Sequence, residues 1–357
     1  MGGSAMLTYL LFLGAWIALS TARHFNRSGL ITLEEAWIPA QFFDLVNTTP
    51  VPGNPPEGVS DAQFLSDFVD VHNQRLKTMD AVGISYMVLS FASPGPQGFS
   101  DPVQAQQVAV EGNNALAAVI ANDTFRFGGL ASLSMHNATE AAIELRRAVT
   151  ELGLLGAILN DYQQSGADNS TLLFYDSTEY DPFWQMVQEL DVPVYLHPRT
   201  PVSSLIKLEW SGARSFLIGA AWQFAAGTSE HALSLCINGV FDRFPNVTVI
   251  LGHMGEHIPS DLFRIDQQLG LEAVPMKKTI AEYYQTNIVQ TTSAVFSEPL
   301  LDFHISQIGA DRILFSIDYP WQSLEVGANF MHGVKLDAKT KAAISTNNAI
   351  DVLRLNR

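Results

Sequence analysis

From residue 30 onward the chain alternates short runs of β-branched or apolar residues with longer segments whose apolar positions recur every three or four residues. The second spacing lines one face of a helix, whereas a short apolar run between turn residues suits a buried strand. The runs predict strands at Leu30–Leu33, Tyr86–Phe91, Gly128–Leu133, Gly156–Leu159, Val192–Leu196, Thr248–Leu251, Ile288–Thr291 and Arg312–Ser316. Helices are predicted over Asp61–Asp80, Asp101–Ala121, Ala138–Leu152, Pro182–Leu190 and Ala232–Phe244. The stretch Thr48–Gly58, rich in Pro and Gly, predicts an irregular loop. Strands alternating with helices imply right-handed βαβ units and a parallel sheet. Eight such strands point to an α/β protein with a closed (β/α)8 barrel. An open dinucleotide-binding sheet would place a Gly-rich turn after its first strand. Glu34-Glu35-Ala36-Trp37 stands there instead, without a glycine.

The amino terminus breaks the pattern. Met6–Ser20 is apolar and carries no charge, too short for a membrane span and suited to the hydrophobic core of a signal peptide. Small residues at Ser20-Thr21-Ala22 offer a cleavage site, so residues 1–22 are expected to be a leader and 23–357 a single domain. An uncleaved signal anchor and a cytoplasmic protein with an apolar first helix are the alternatives. Asn-X-Ser/Thr sequons at Asn26, Asn47, Asn122, Asn137, Asn169 and Asn246 agree with entry into the secretory pathway, ending in a secreted or vacuolar glycoprotein.

Of the 357 residues, 47% are hydrophobic, enough for a sizeable core. Lys and Arg total 20 against 36 Asp and Glu, a net charge of -16. With no basic run, nucleic acid is excluded as a partner. The single cysteine, Cys236, permits neither an internal disulfide nor a cysteine-based zinc cluster, and its apolar neighbours mark it as a buried small hydrophobe.

In a barrel of this kind, chemistry sits at the carboxyl ends of the strands. Strand one ends in Glu34-Glu35, strand five in His197, strand six in His253 with Glu256 and His257 just beyond, and strand eight runs into Asp318. Imidazole and carboxylate together suit Zn²⁺ or Mn²⁺, and three protein ligands leave positions open for substrate. Strand four ends in Asn160-Asp161, with no lysine to bridge two metals, so one divalent ion is expected, Zn²⁺ ahead of Mn²⁺. Glu256 stands where it can fix the His253 tautomer or pair with Arg264. Phe91, ending strand two, is a candidate to stack on an aromatic substrate, and Tyr319 and Trp321 to wall the pocket.

The segments Leu33–Trp37, Ala131–His136, Tyr195–Arg199, Asn238–Pro245, Leu251–Pro259 and Asp311–Pro320 resemble the non-oxidative decarboxylases of the amidohydrolase superfamily, near 2,3-dihydroxybenzoate, γ-resorcylate and 6-methylsalicylate decarboxylases. The resemblance implies a TIM barrel of the metal-dependent amidohydrolase type. It implies Glu34, His197 and Asp318 as metal ligands, with Asp318 also handling the proton. By the same resemblance His253 acts beside the metal and Arg264 holds the substrate carboxylate. Ala36 stands where the γ-resorcylate type carries His, as in the dihydroxybenzoate type. The implied reaction removes CO₂ from a small ortho-hydroxylated aromatic acid, salicylate-type or polyketide-derived such as 6-methylsalicylate, and leaves a phenol. A homo-oligomer, dimer or tetramer, is implied as well. Two rivals share the site: a metal-dependent hydrolase of a lactone or amide, and a non-catalytic secreted binding protein.

Overall fold

The computed structural model describes residues 29–39, 41–42, 55–56 and 58–356. The expected leader, the sequons at Asn26 and Asn47 and most of the 48–58 loop lie outside the described residues. Among the described residues no helix is long and apolar enough to cross a membrane.

Eight parallel strands form one sheet with helices between them: β1 (Leu30–Trp37), β2 (Ile84–Phe91), β3 (Phe127–Ser132), β4 (Ala157–Asn160), β7 (Val194–His197), β8 (Val249–Leu251), β9 (Ile288–Thr291) and β10 (Ile313–Leu314). Their spatial order follows the chain. Two short strands, β5 (Gln163–Ser165) and β6 (Thr171–Leu173), form a separate antiparallel hairpin after β4. The expected barrel strands are all present, Ile288–Thr291 with the expected bounds and the others with shifted ends. β1 runs on through Glu34 and Glu35 to Trp37, and β10 is shorter than the apolar run suggested. The predicted helix over Asp61–Asp80 is two helices, Asp61–Val69 and Gln74–Val82. The break comes where the Asp70 carboxylate accepts from the amides of Asn73 and Arg75, an alternative to helical bonding. The helix expected over Ala232–Phe244 starts earlier, at Gln223, and stops at Ile237. Gly239 then turns the chain with φ of 69° before Val240–Arg243.

The period of two splits the strand residues between two cores. Leu33, Val88, Leu130, Ile158, Ile250 and Leu314 pack inside the sheet's curve. Leu89, Ala131, Leu159, Leu196 and Leu251 face outward onto the helices. Among the described residues no ladder joins β10 to β1. That seam is bridged by the bond from the Ala36 amide to the Tyr319 carbonyl (2.8 Å) and by the side chains of Glu35 and Ser316.

Candidate metal centre

The site is built at the carboxyl end of the sheet. β1 slips by one residue against β2 between Thr32 and Glu35. Such a bulge re-aims side chains, and Glu34 thereby meets the β7 side chains in the interior. On β7, Tyr195 and His197 are two apart and share a face. The Tyr195 hydroxyl donates to Glu34 Oε2 and bonds the Thr291 hydroxyl at 2.9 Å. His197 gives Nδ1 to the Pro198 carbonyl (2.6 Å) and turns Nε2 to Glu34 Oε1, 3.3 Å away. Beyond β8 the chain coils left-handed: His253, Met254, Gly255, Glu256 and His257 all have φ between 49° and 68°. The turn brings His253 Nε2 within 3.3 Å of Glu34 Oε1 and 3.8 Å of Asp318 Oδ2. It also sets His253 Nδ1 against Glu256 Oε1 at 2.6 Å. Gly252 makes room, since a Cβ there would lie 2.9 Å from both Glu34 oxygens.

One ligand atom from each of Glu34, His197, His253 and Asp318 lies within 4.8 Å of the others. Glu34 is 2% exposed, and its Oε1 has no hydrogen-bond partner while Oε2 takes the hydroxyls of Tyr195 and Thr291. A buried orphan carboxylate oxygen is costly unless something cationic faces it. The donor set is two imidazoles and two carboxylates, which fits a divalent transition ion. His253 thus joins the three ligands expected from sequence as a fourth member.

The electrostatics follow from burial and proximity. Burial pushes the Glu34 carboxyl up, but His253 and His197 outweigh it and hold its pKa near 2. Burial raises Asp318 to about 6, against the pull of its hydrogen bond with His253. Burial also pulls the His253 imidazole down, yet Glu34 and Glu256 leave it well above its ordinary value.

Glu256, 1% exposed, pairs with His253 rather than Arg264. Arg264 is exposed on the helix Ile258–Leu269 and lines a cavity of about 630 Å³ with Trp222, His257 and Glu256. Glu34, His197, His253 and Asp318 do not line that cavity, while Glu256, the partner of His253, does. Phe91 was the residue expected from sequence to stack on an aromatic substrate. Phe91 is one strand position off the inward set of Tyr86 and Val88. Its ring packs against Gly112 and, at 5.7 Å, against Phe42. Trp321 packs edge-on to Phe64 and Phe68 in the same group. Cys236 is fully buried as expected, and burial pushes its thiol well up. Tyr195, Thr291 and Ser316 were not singled out from sequence. The two-residue spacing of Tyr195 from His197 is the signal that could have found the first.

The chain belongs to the amidohydrolase family, whose model matches residues 69–355. It is 38% identical over 299 residues to a γ-resorcylate decarboxylase of Polaromonas sp., covering 83% of this chain and 91% of the relative. A γ-resorcylate decarboxylase of Rhodococcus jostii is 35% identical over 336 residues, 92% of this chain and 99% of the relative. Among solved structures, a dihydroxybenzoic acid decarboxylase from Polaromonas sp., with bound manganese and the inhibitor 2-nitroresorcinol, superposes with a TM-score of 0.85. That match is 36% identical and covers 92% of this chain and 98% of the other.

Proposed function

We propose that this protein is a metal-dependent carboxy-lyase that removes CO₂ from a dihydroxybenzoate-type aromatic acid. The observation that carries the reading is the converging group of buried Glu34 with partly buried His197, His253 and Asp318 in a chain whose relatives are named decarboxylases. Glu34, His197, His253 and Asp318 would hold a divalent ion, which would supply Lewis-acid chemistry toward an acidic aromatic substrate. The protein residues do the rest. Glu34 keeps Oε1 for the ion because Tyr195 and Thr291 occupy Oε2. Glu256 holds the His253 ring so that Nε2 faces Glu34 and Asp318. Asp318, whose burial opposes ionisation of its carboxyl, delivers a proton to the ring carbon that bears the carboxylate. The electrons of the breaking C–C bond then return to the ring as CO₂ leaves, and solvent reprotonates Asp318.

Within this reading the substrate is a 2-hydroxybenzoate with a second ring substituent, γ-resorcylate or a relative such as 6-methylsalicylate. The ion is Mn²⁺ or Zn²⁺, with Mn²⁺ favoured by the manganese-bound relative. The test is mass spectrometry of protein reconstituted with each ion. Salicylate, 6-methylsalicylate, orsellinate, 2,3-dihydroxybenzoate and γ-resorcylate are offered. A phenol lighter by CO₂ is expected from at least one acid. An acid product from a lactone or amide, with no carbon lost from any of the five, would overturn the reading in favour of a hydrolase.

The reading extends to compartment and assembly. Secretion is supported by exposed sequons at Asn122, Asn137, Asn169 and Asn246. A mass shift on glycosidase treatment of protein made in a eukaryotic secretory host tests it. A homo-oligomer is supported by exposed apolar side chains at Leu208, Phe216, Trp222 and Phe263, and light scattering tests it.

A further inference from the structure

We propose that Glu35 is a positioning residue for Asp318, clasping the seam between the first and last strands of the sheet so that Glu34 and Asp318 are held at ligand distance. Glu35 is adjacent to Glu34 but does not join the ligand group. It is completely buried, and the hydrogen bonds of its carboxylate run across the seam. Its Oε1 accepts from the Ser316 hydroxyl (3.1 Å) and the Ile317 amide (3.1 Å), and its Oε2 from the Tyr319 amide (2.8 Å). The two amides are those on either side of Asp318. Asp318 itself has φ of 78°, a left-handed conformation that a non-glycine residue keeps only when its surroundings impose it. The Glu35 carboxylate grips both neighbours of that strained residue.

Other contacts make the clasp stiff. The Ser316 hydroxyl that donates to Glu35 also accepts the Leu33 and Glu34 amides, at 3.1 and 2.9 Å. Ala36 bonds the Tyr319 carbonyl. The Arg75 guanidinium, 1% exposed, donates to the Ala36 carbonyl (3.0 Å) and lies 4.6 Å over the Tyr319 ring. The seam lacks a backbone ladder, and one ligand stands on each side of it. The carboxylate of Glu35 therefore does locally what ladder hydrogen bonds do between the other strands.

The inference rests on the metal reading, and a double-mutant cycle on ion affinity keeps the two apart. Dissociation constants for Mn²⁺ are measured by chelator competition for the wild type, Glu35→Gln, Asp318→Asn and the double variant. In Gln an amide NH₂ replaces one acceptor and faces one of the clasped donors. Groups that orient ligands commonly cost about 10- to 100-fold in metal affinity when lost. Glu35→Gln is expected to weaken binding by about that factor in the wild type. In the Asp318→Asn background it is expected to add less than about threefold, because residues acting as a unit are not additive. An equal loss in both backgrounds, or none in the wild type, would overturn the proposal. A wild-type chain that binds no divalent ion would remove the metal reading and the proposal with it. If Glu35→Gln does not fold, Ser316→Ala takes its place in the same cycle, with a smaller loss of the same pattern expected.

Discussion

A carboxyl group can give up a proton near neutral pH only if its surroundings oppose ionisation. At Asp318 burial does so, while His253 limits the rise. Glu34 is more deeply buried, yet two imidazoles keep it ionised. The same side-chain chemistry is thus given two different proton affinities by environment alone. Asp318→Asn removes the proton carrier with little change of volume. Turnover is expected to fall by about a thousandfold or more, with the thermal midpoint of the metal-free protein within a few degrees of the wild type. Residual activity above a tenth of normal would assign the proton elsewhere. The convergence of Glu34, His197 and Asp318 was legible because the carboxyl ends of barrel strands meet at one face of the fold. Phe91 lies an odd number of positions from Tyr86 and so on the opposite face of β2, a parity that its spacing in the sequence already carried. Glu35 was visible beside Glu34, but its contacts lie more than 280 residues away and left no local trace.

At the scale of elements, the left-handed turn after β8 is the least foreseeable piece. It holds four non-glycine residues at positive φ, each disfavoured by about 1–2 kcal/mol. The turn is held by the His253–Glu256 pair, by the Ser229 hydroxyl donating to the Glu256 carbonyl and by Tyr284 reaching Gly255. Gly255 sits at its centre, and a Cβ there would come 2.3 Å from Gln290 Oε1. Gly255→Ala is expected to destabilise the fold by about 1–3 kcal/mol and to weaken ion binding, read by urea unfolding and by chelator competition. Behind the same turn, buried His304 bonds Gln290 (2.9 Å), and burial with His257 nearby lowers its pKa from 6.5 to about 4. Between those values the unfolded chain binds more protons at this residue than the folded one. Its contribution to stability is therefore complete above about pH 6.5 and declines as the pH falls toward 4. Urea midpoints at pH 7 and 4.5 are expected to differ less in His304→Gln than in the wild type. Strands and most helices were legible because their apolar periods are local. The β5–β6 hairpin was not, because three-residue strands of Gln, Ser, Thr and Leu carry too short a pattern.

At the scale of the whole molecule, the candidate ligands come from β1, β7, the turn after β8 and the segment after β10. An ion held by all four ties the two edges of the sheet together. Ligand binding to the folded state alone stabilises by about 2.7 kcal/mol at a free concentration one hundred times the dissociation constant. Chelation is expected to lower the thermal midpoint, and the ion to restore it, by several degrees. An unchanged midpoint on reloading would mean that the cluster does not take up the ion. The barrel as a whole was readable from strand count and alternation, whereas its unlatched seam was not, since no sequence pattern announces which neighbouring strands forgo a ladder.

That arrangement also fixes when the centre can exist during synthesis. Glu34 is among the first barrel residues to leave the ribosome, and Ser316, which grips its amide, follows 282 residues later. At about 5–20 residues per second, that interval lasts roughly 15–60 s. Throughout it the nascent chain carries a carboxylate meant for burial, with neither the clasp nor the last ligand yet made. Ion capture is therefore a closing event of biogenesis, and a chain halted before Asp318 would carry the sheet's strands without the chemistry.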